Sequence, residues 1–217
     1  MTTQTKKDLC WCLLWFVLFF ALTAALCVVD VQPAGPQNSL IGLAAINTAF
    51  HTWTGQTGLL DKLTDIPLYL AFLECAFFAG LGLVQLIRGK SLRKVDPSIY
   101  ALAAIYVLMA VLYVAFEHVV INMRPVLENG ILEPSYPSSH TMMVVTIYGT
   151  GIVAFHTLFP KNKALSFWIP VASFALIAFA VCGRLLCGVH WLTDIAGGLL
   201  LGCALVWLYK VFVDVFH

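Results

Sequence analysis

Residues Leu9 to Val29 read LCWCLLWFVLFFALTAALCVV, an apolar stretch without a single charged side chain. As a helix rising about 1.5 Å per residue, a run of this length crosses the roughly 30 Å hydrocarbon core of a bilayer. It is too long to read as the apolar part of a cleaved leader. Five more stretches of the same kind follow, at Ile66–Ile87, Pro97–Ile121, Ser139–Leu158, Ala164–Leu186 and His190–Val211. The sequence therefore predicts an all-α integral membrane protein, a bundle of six transmembrane helices forming one domain over residues 1–217.

Composition agrees. The 217 residues are 61% hydrophobic and 11% charged, with a mean hydropathy of +0.91, whereas soluble chains are about 45–50% apolar and about 25% charged. Ordinary soluble, disordered and collagen-like classes are excluded. The net charge of +1 offers no basic field for nucleic acid. The seven cysteines, an odd number lying mostly inside apolar runs, read as buried free thiols rather than disulfides or metal ligands.

The longest connection runs from Asp30 to Asp65. Within it Leu40, Leu43, Ile46 and Phe50 recur at near-helical spacing after the turn at Pro36–Ser39, which predicts an amphipathic helix in the membrane interface between the first two spans. It serves either as a lid or as a plain connector. Positive residues set the orientation. With a cytoplasmic N-terminus, nine of the twelve Lys and Arg face the cytoplasm, leaving Lys62, Arg124 and Arg184 outside. Both termini are thus expected in the cytoplasm of a plasma-membrane protein.

The chemistry collects on the outer side. Arg124-Pro125 follows the third span, Pro137-Ser138-Ser139-His140 opens the fourth, Arg184 ends the fifth, and His190 with Asp194 opens the sixth. A carboxylate four residues from a histidine on a helix shares its face, and can fix its tautomer and raise its basicity. A helix N-terminus at Ser139 and His140 favours an anion, and two guanidinium forks suit phosphate oxygens. Single histidines near helix ends usually serve packing, and His51, His156 and His217 are read that way. Glu74, inside the second span, reads as an interior residue, neutral or hydrogen-bonded.

In these stretches the chain resembles the type 2 phosphatidic acid phosphatase (PAP2) superfamily, whose motifs are Lys-x6-Arg-Pro, Pro-Ser-Gly-His and Ser-Arg-x5-His-x3-Asp. Here they read Glu117-x6-Arg124-Pro125, Pro137-Ser138-Ser139-His140 and Gly183-Arg184-x5-His190-x3-Asp194. The motif-bearing core is about residues 97–211. The resemblance implies His190 as a nucleophile forming a phosphohistidine, Asp194 as its orienter and His140 as general acid. Arg124, Arg184, Ser139 and Ser138 would hold the phosphate. It implies no metal and no cofactor.

Three positions depart from the pattern: Ser139 for glycine, Gly183 for serine, and Glu117 for lysine. The last reverses a charge, and an ionised carboxylate about 4 Å from a phosphate would be repelled by roughly 4 kcal/mol at an effective dielectric near 20. Glu117 is therefore expected to be turned aside, paired or protonated. The function implied is hydrolysis of a lipid phosphate or diphosphate at the outer face. A polyprenyl diphosphate is the first substrate choice, with phosphatidylglycerophosphate or phosphatidic acid next. A non-catalytic lipid-phosphate binder or carrier, or a lipid phosphotransferase using the same residues, are the alternatives.

Overall fold

The structure is a computed structural model that describes residues 2–128 and 130–216; His217 lies outside them. Six helices are long and apolar enough to cross a membrane. They are α1 (Thr3–Val28), α4 (Asp65–Gly89), α5 (Pro97–His118), α6 (Ser139–Leu158), α7 (Lys163–Leu186) and α8 (Leu192–Phe216). Two shorter helices, α2 (Ala44–Thr54) and α3 (Gly58–Leu63), lie in the first connection beside a small antiparallel ladder, β1 (Gln32–Pro33) with β2 (Leu40–Ile41). Consecutive spans alternate in direction, so the starts of α4, α6 and α8 share one end of the bundle with the ends of α1, α5 and α7.

The helices are not equivalent. In the apolar window of α6, 56% of residues are buried, and 33% in α8, against 11–22% in the other four spans. Those two form the centre; His140 lies in the first turn of α6, and His190 stands just ahead of α8. Around them α1, α5 and α7 turn Leu13, Val17, Val107, Val111, Phe167 and Phe174 outward, as lipid-facing surfaces do. Since lipid is as apolar as leucine, close packing and interhelical hydrogen bonds hold such a bundle, the latter contributing about 0.6 kcal/mol each. Tyr136 Oη and Thr23 Oγ1 lie 2.7 Å apart, and Tyr148 Oη donates to the Pro67 carbonyl at 2.7 Å. Close approach at the head of the bundle depends on Gly198 of α8, where a Cβ would lie 2.7 Å from the Ser138 carbonyl oxygen. A larger residue there would lever the two motif-bearing helix starts apart.

Several expectations change. The connector helix begins at Ala44, after the φ +49° residue Leu43, because Leu40 and Ile41 pair in the ladder. It is anchored, since buried Asn47 donates to the Gly42 carbonyl at 2.9 Å and to Thr193 Oγ1 at 2.9 Å. Span three stops at His118 rather than Ile121. All seven cysteines are free, but only Cys12 and Cys187 are buried while Cys10, Cys27 and Cys182 are exposed; an apolar span can shelter a thiol against lipid as well as against protein. Glu74 does face inward, its side chain against Gly151 of α6, where a Cβ would meet Glu74 Oε1 at 1.5 Å.

Candidate active site

Two helix starts meet at the same end of the bundle. Ser138 is the N-cap of α6, its hydroxyl accepting from the Thr141 N–H, and its own N–H donates to the Asp194 carbonyl at 2.9 Å. This locks the first turn of α6 to the first turn of α8. Ser138 is completely buried, with its hydroxyl accepting at the cap, whereas Ser139 lines the cavity.

His190 is also corrected in one respect. It does not ride on α8, which starts at Leu192, but on the turn before it. Gly188 makes that turn at φ +75°, with its Cα so close to the neighbouring loop that a Cβ would lie 1.9 Å from the Gly55 carbonyl oxygen. The Thr57 N–H holds the Cys187 carbonyl at 3.1 Å. The four-residue spacing still works, because Asp194 reaches back. Its Oδ2 accepts the Trp191 N–H at 2.9 Å and stands 3.7 Å from His190 Nδ1. Both side chains are buried, Asp194 completely, and neither imidazole nitrogen has a hydrogen-bond partner among the described residues. Burial drives the His190 pKa below the ordinary histidine value, against the opposing pull of Asp194.

Arg124 sits on the loop between α5 and α6, folded back by the bridges Met123–Pro134 and Glu128–Ile131. The Trp191 indole N–H donates to the Met123 carbonyl at 2.6 Å, tying this loop to the His190 turn. Arg124 is paired with Glu128 at 3.3 Å and Glu133 at 3.5 Å. It separates two cavities. The smaller, about 20 Å³, is lined by Glu117, Arg124, Ser139 and His190, room for a water-sized group. The larger, about 270 Å³, is lined by Asp61, Asp65, Arg124, His140 and Arg184. Arg124 is thus common to the cavity that His190 and Ser139 line and the one that His140 and Arg184 line.

Glu117 is not turned aside. It lies in the last turn of α5, exposed on the wall of the smaller cavity, and makes no ion pair among the described residues.

Two residues of the site went unread in the sequence, Asp61 of α3 and Asp65 at the start of α4. Arg184, nearly buried, donates to Asp61 Oδ1 through Nη1 and to Asp65 Oδ1 at 2.8 Å through Nη2. The same Asp65 oxygen lies 3.0 Å from His140 Nε2. Both arginines thus carry two carboxylates each, and an incoming anion has to share or displace them. Among the described residues no group of three or more His, Cys, Asp or Glu side chains is arranged to hold a metal ion.

No curated protein matches the chain. Among solved structures it resembles the first transmembrane PAP2-type phosphatidylglycerolphosphate phosphatase from Bacillus subtilis, with a TM-score of 0.65 and 19% identity over 95% of this chain and 98% of that one. At that identity the likeness speaks for the six-span fold. The sequence profile of the PAP2 superfamily matches residues 100–216, more than half of the chain and all three motif regions. The chain belongs to the PAP2 superfamily.

Proposed function

We propose that the chain is an integral membrane phosphatase that hydrolyses a lipid phosphate or diphosphate through a phosphohistidine at His190. The observation that carries this reading is the buried His190–Asp194 pair, 3.7 Å apart, opening onto a cavity shared with Arg124 and Ser139. Neutral His190 attacks phosphorus through Nε2, and the bond to the leaving oxygen breaks as that oxygen takes a proton from His140. Asp194, 3.7 Å from Nδ1, favours a proton on that nitrogen and stabilises the charge that attack places on the ring. Water then attacks the phosphohistidine and gives its proton to His140; the P–N bond breaks and phosphate leaves. Arg124, Arg184 and the free N–H groups at the start of α6 hold the equatorial oxygens through both displacements.

The reading includes independence of metal, since two guanidinium groups and a helix N-terminus meet the phosphate charge. It also places the site on the extracytoplasmic side of the plasma membrane, with both termini in the cytoplasm. A polyprenyl diphosphate is the first substrate choice. Phosphatidylglycerophosphate stands next, supported by the fold shared with a phosphatase of that lipid, and phosphatidic acid follows. A non-catalytic carrier would need neither a nucleophile nor its orienter.

Phosphate release from these lipids by purified protein in detergent, with and without EDTA, is the test. Turnover of at least one lipid, unchanged by EDTA and abolished in His190→Ala, is expected. Binding of the lipids without phosphate release would establish the carrier in its place.

A further inference from the structure

We propose that Asp65 is a positioning residue for the general acid His140, and that the α3–α4 junction is the arm that delivers it. The inference rests on the proposed role of His140. Asp65 Oδ1 lies 3.0 Å from His140 Nε2 and 2.8 Å from Arg184 Nη2. An ionised carboxylate only accepts hydrogen bonds, so the short contact puts a proton on Nε2. The transferable proton of the imidazole is then carried on Nδ1. One carboxylate oxygen therefore fixes the tautomer of the acid and couples it to an arginine of the phosphate site. The result parallels Asp194 and His190, so that each histidine has its own carboxylate.

The arm has a visible steric requirement. Gly183, which stands where the family motif has serine, lies directly under Thr64. A Cβ at position 183 would be 2.2 Å from Thr64 Cγ2. Thr64 is buried, and its hydroxyl donates to the Asp61 carbonyl at 2.6 Å, so it cannot rotate aside without breaking that bond. Replacing serine by glycine removes a hydroxyl from the fifth-span motif and admits the junction carrying Asp61 and Asp65. The two carboxylates do different things. Asp61 reaches Arg184 but not His140, whereas Asp65 reaches both.

A purely structural account is available, because an acid in the first turn of a helix is favourable there whatever it touches. The two accounts separate on leaving-group dependence. A poorly positioned acid fails for an alkyl phosphate, whose leaving oxygen must be protonated, and is hardly missed for a nitrophenyl phosphate, whose leaving group departs as a stable anion. The quantity to read is kcat/KM, which reports the steps up to departure of the leaving group.

Asp65→Asn should lower kcat/KM on both substrates through its hold on Arg184, and should lower it roughly 10²-fold further on a lipid alkyl phosphate than on nitrophenyl phosphate, as general acids typically contribute roughly 10²–10⁴-fold. His140→Ala should show the same split, and adding Asp65→Asn to it should not widen the split. Asp61→Asn should lower both substrates equally, by weakening the hold on Arg184. Should Asp65→Asn fail to fold, Asp65→Glu, which keeps the charge but moves the oxygen, should show the split in milder form. Equal losses on both substrates in the Asp65 variants, with the split retained in His140→Ala, would overturn the proposal and leave the phosphatase reading standing. No split even in His140→Ala would overturn both.

Discussion

Replacing Asp194 by asparagine changes one charge at a completely buried position and little else. With its amide oxygen in the place of Oδ2, asparagine still accepts the Trp191 N–H, 2.9 Å away, and still faces His190 Nδ1 at 3.7 Å. Its NH₂ goes to the place of Oδ1, which has no partner among the described residues, and a buried unsatisfied donor costs about 1–3 kcal/mol of stability. The catalytic loss is larger. At 3.7 Å and an effective dielectric near 20, a carboxylate stabilises a full positive charge on the ring by about 4.5 kcal/mol. Attack on phosphorus creates that charge, so its stabilisation is needed in the transition state and not in the free enzyme. At about 1.4 kcal/mol per decade the rate should fall roughly 10³-fold. The assay is kcat for phosphate release in detergent, beside a melting curve showing a folded variant. An Asp194→Asn protein that is folded and within tenfold of the parent would refute the assignment of Asp194 as partner of a ring that becomes charged.

Other outcomes follow from the same geometry. Glu117→Gln should keep kcat within about threefold, and Glu117→Lys should lower KM, because the side chain faces the cavity that Arg124 and His190 line; a Glu117→Gln protein as inactive as His190→Ala would make Glu117 a participant in the chemistry. Because His190 acts as the neutral base with its pKa depressed by burial, and His140 has to keep its proton to act as acid, kcat/KM should follow a bell-shaped pH profile whose rising limb has a midpoint below the ordinary histidine value of about 6.5. A midpoint above that value would mean that Asp194 outweighs burial. With the exposed native cysteines replaced, Ile131→Cys should react with an impermeant thiol reagent from outside the cell and Leu92→Cys should not; the reverse pattern would invert the orientation.

The spans were legible because a bilayer imposes one strong rule, about 20 apolar residues per crossing, and all six candidate stretches became helices. The histidines stand out in the sequence because each lies in a motif at or just ahead of the start of an apolar run. Asp61 and Asp65 were not, because an acid ahead of an apolar run reads as an ordinary first-turn residue. Only the fold brings α3 beneath Arg184. The same limit applies to Ser138, whose hydroxyl is equally suited to a phosphate or a helix cap, and which the fold places at the cap of α6. His190 left its expected helix because Gly188 turns the chain just before it, a conformation that spacing alone does not announce. For Glu117 electrostatics leaves three arrangements open, turned aside, paired or protonated, and the fold, which sets it on the cavity wall with no ion pair among the described residues, removes the first two.

Covalent labelling of His190 tests the central claim most directly. Protein mixed with a ³²P-labelled lipid phosphate and quenched in alkaline denaturant within a few turnovers should carry label that survives base and is lost in acid, as phosphohistidine does. After proteolysis the label should lie in the peptide containing His190, and should be absent from His190→Ala. Label on any other residue, or phosphate release persisting in His190→Ala, would contradict the account.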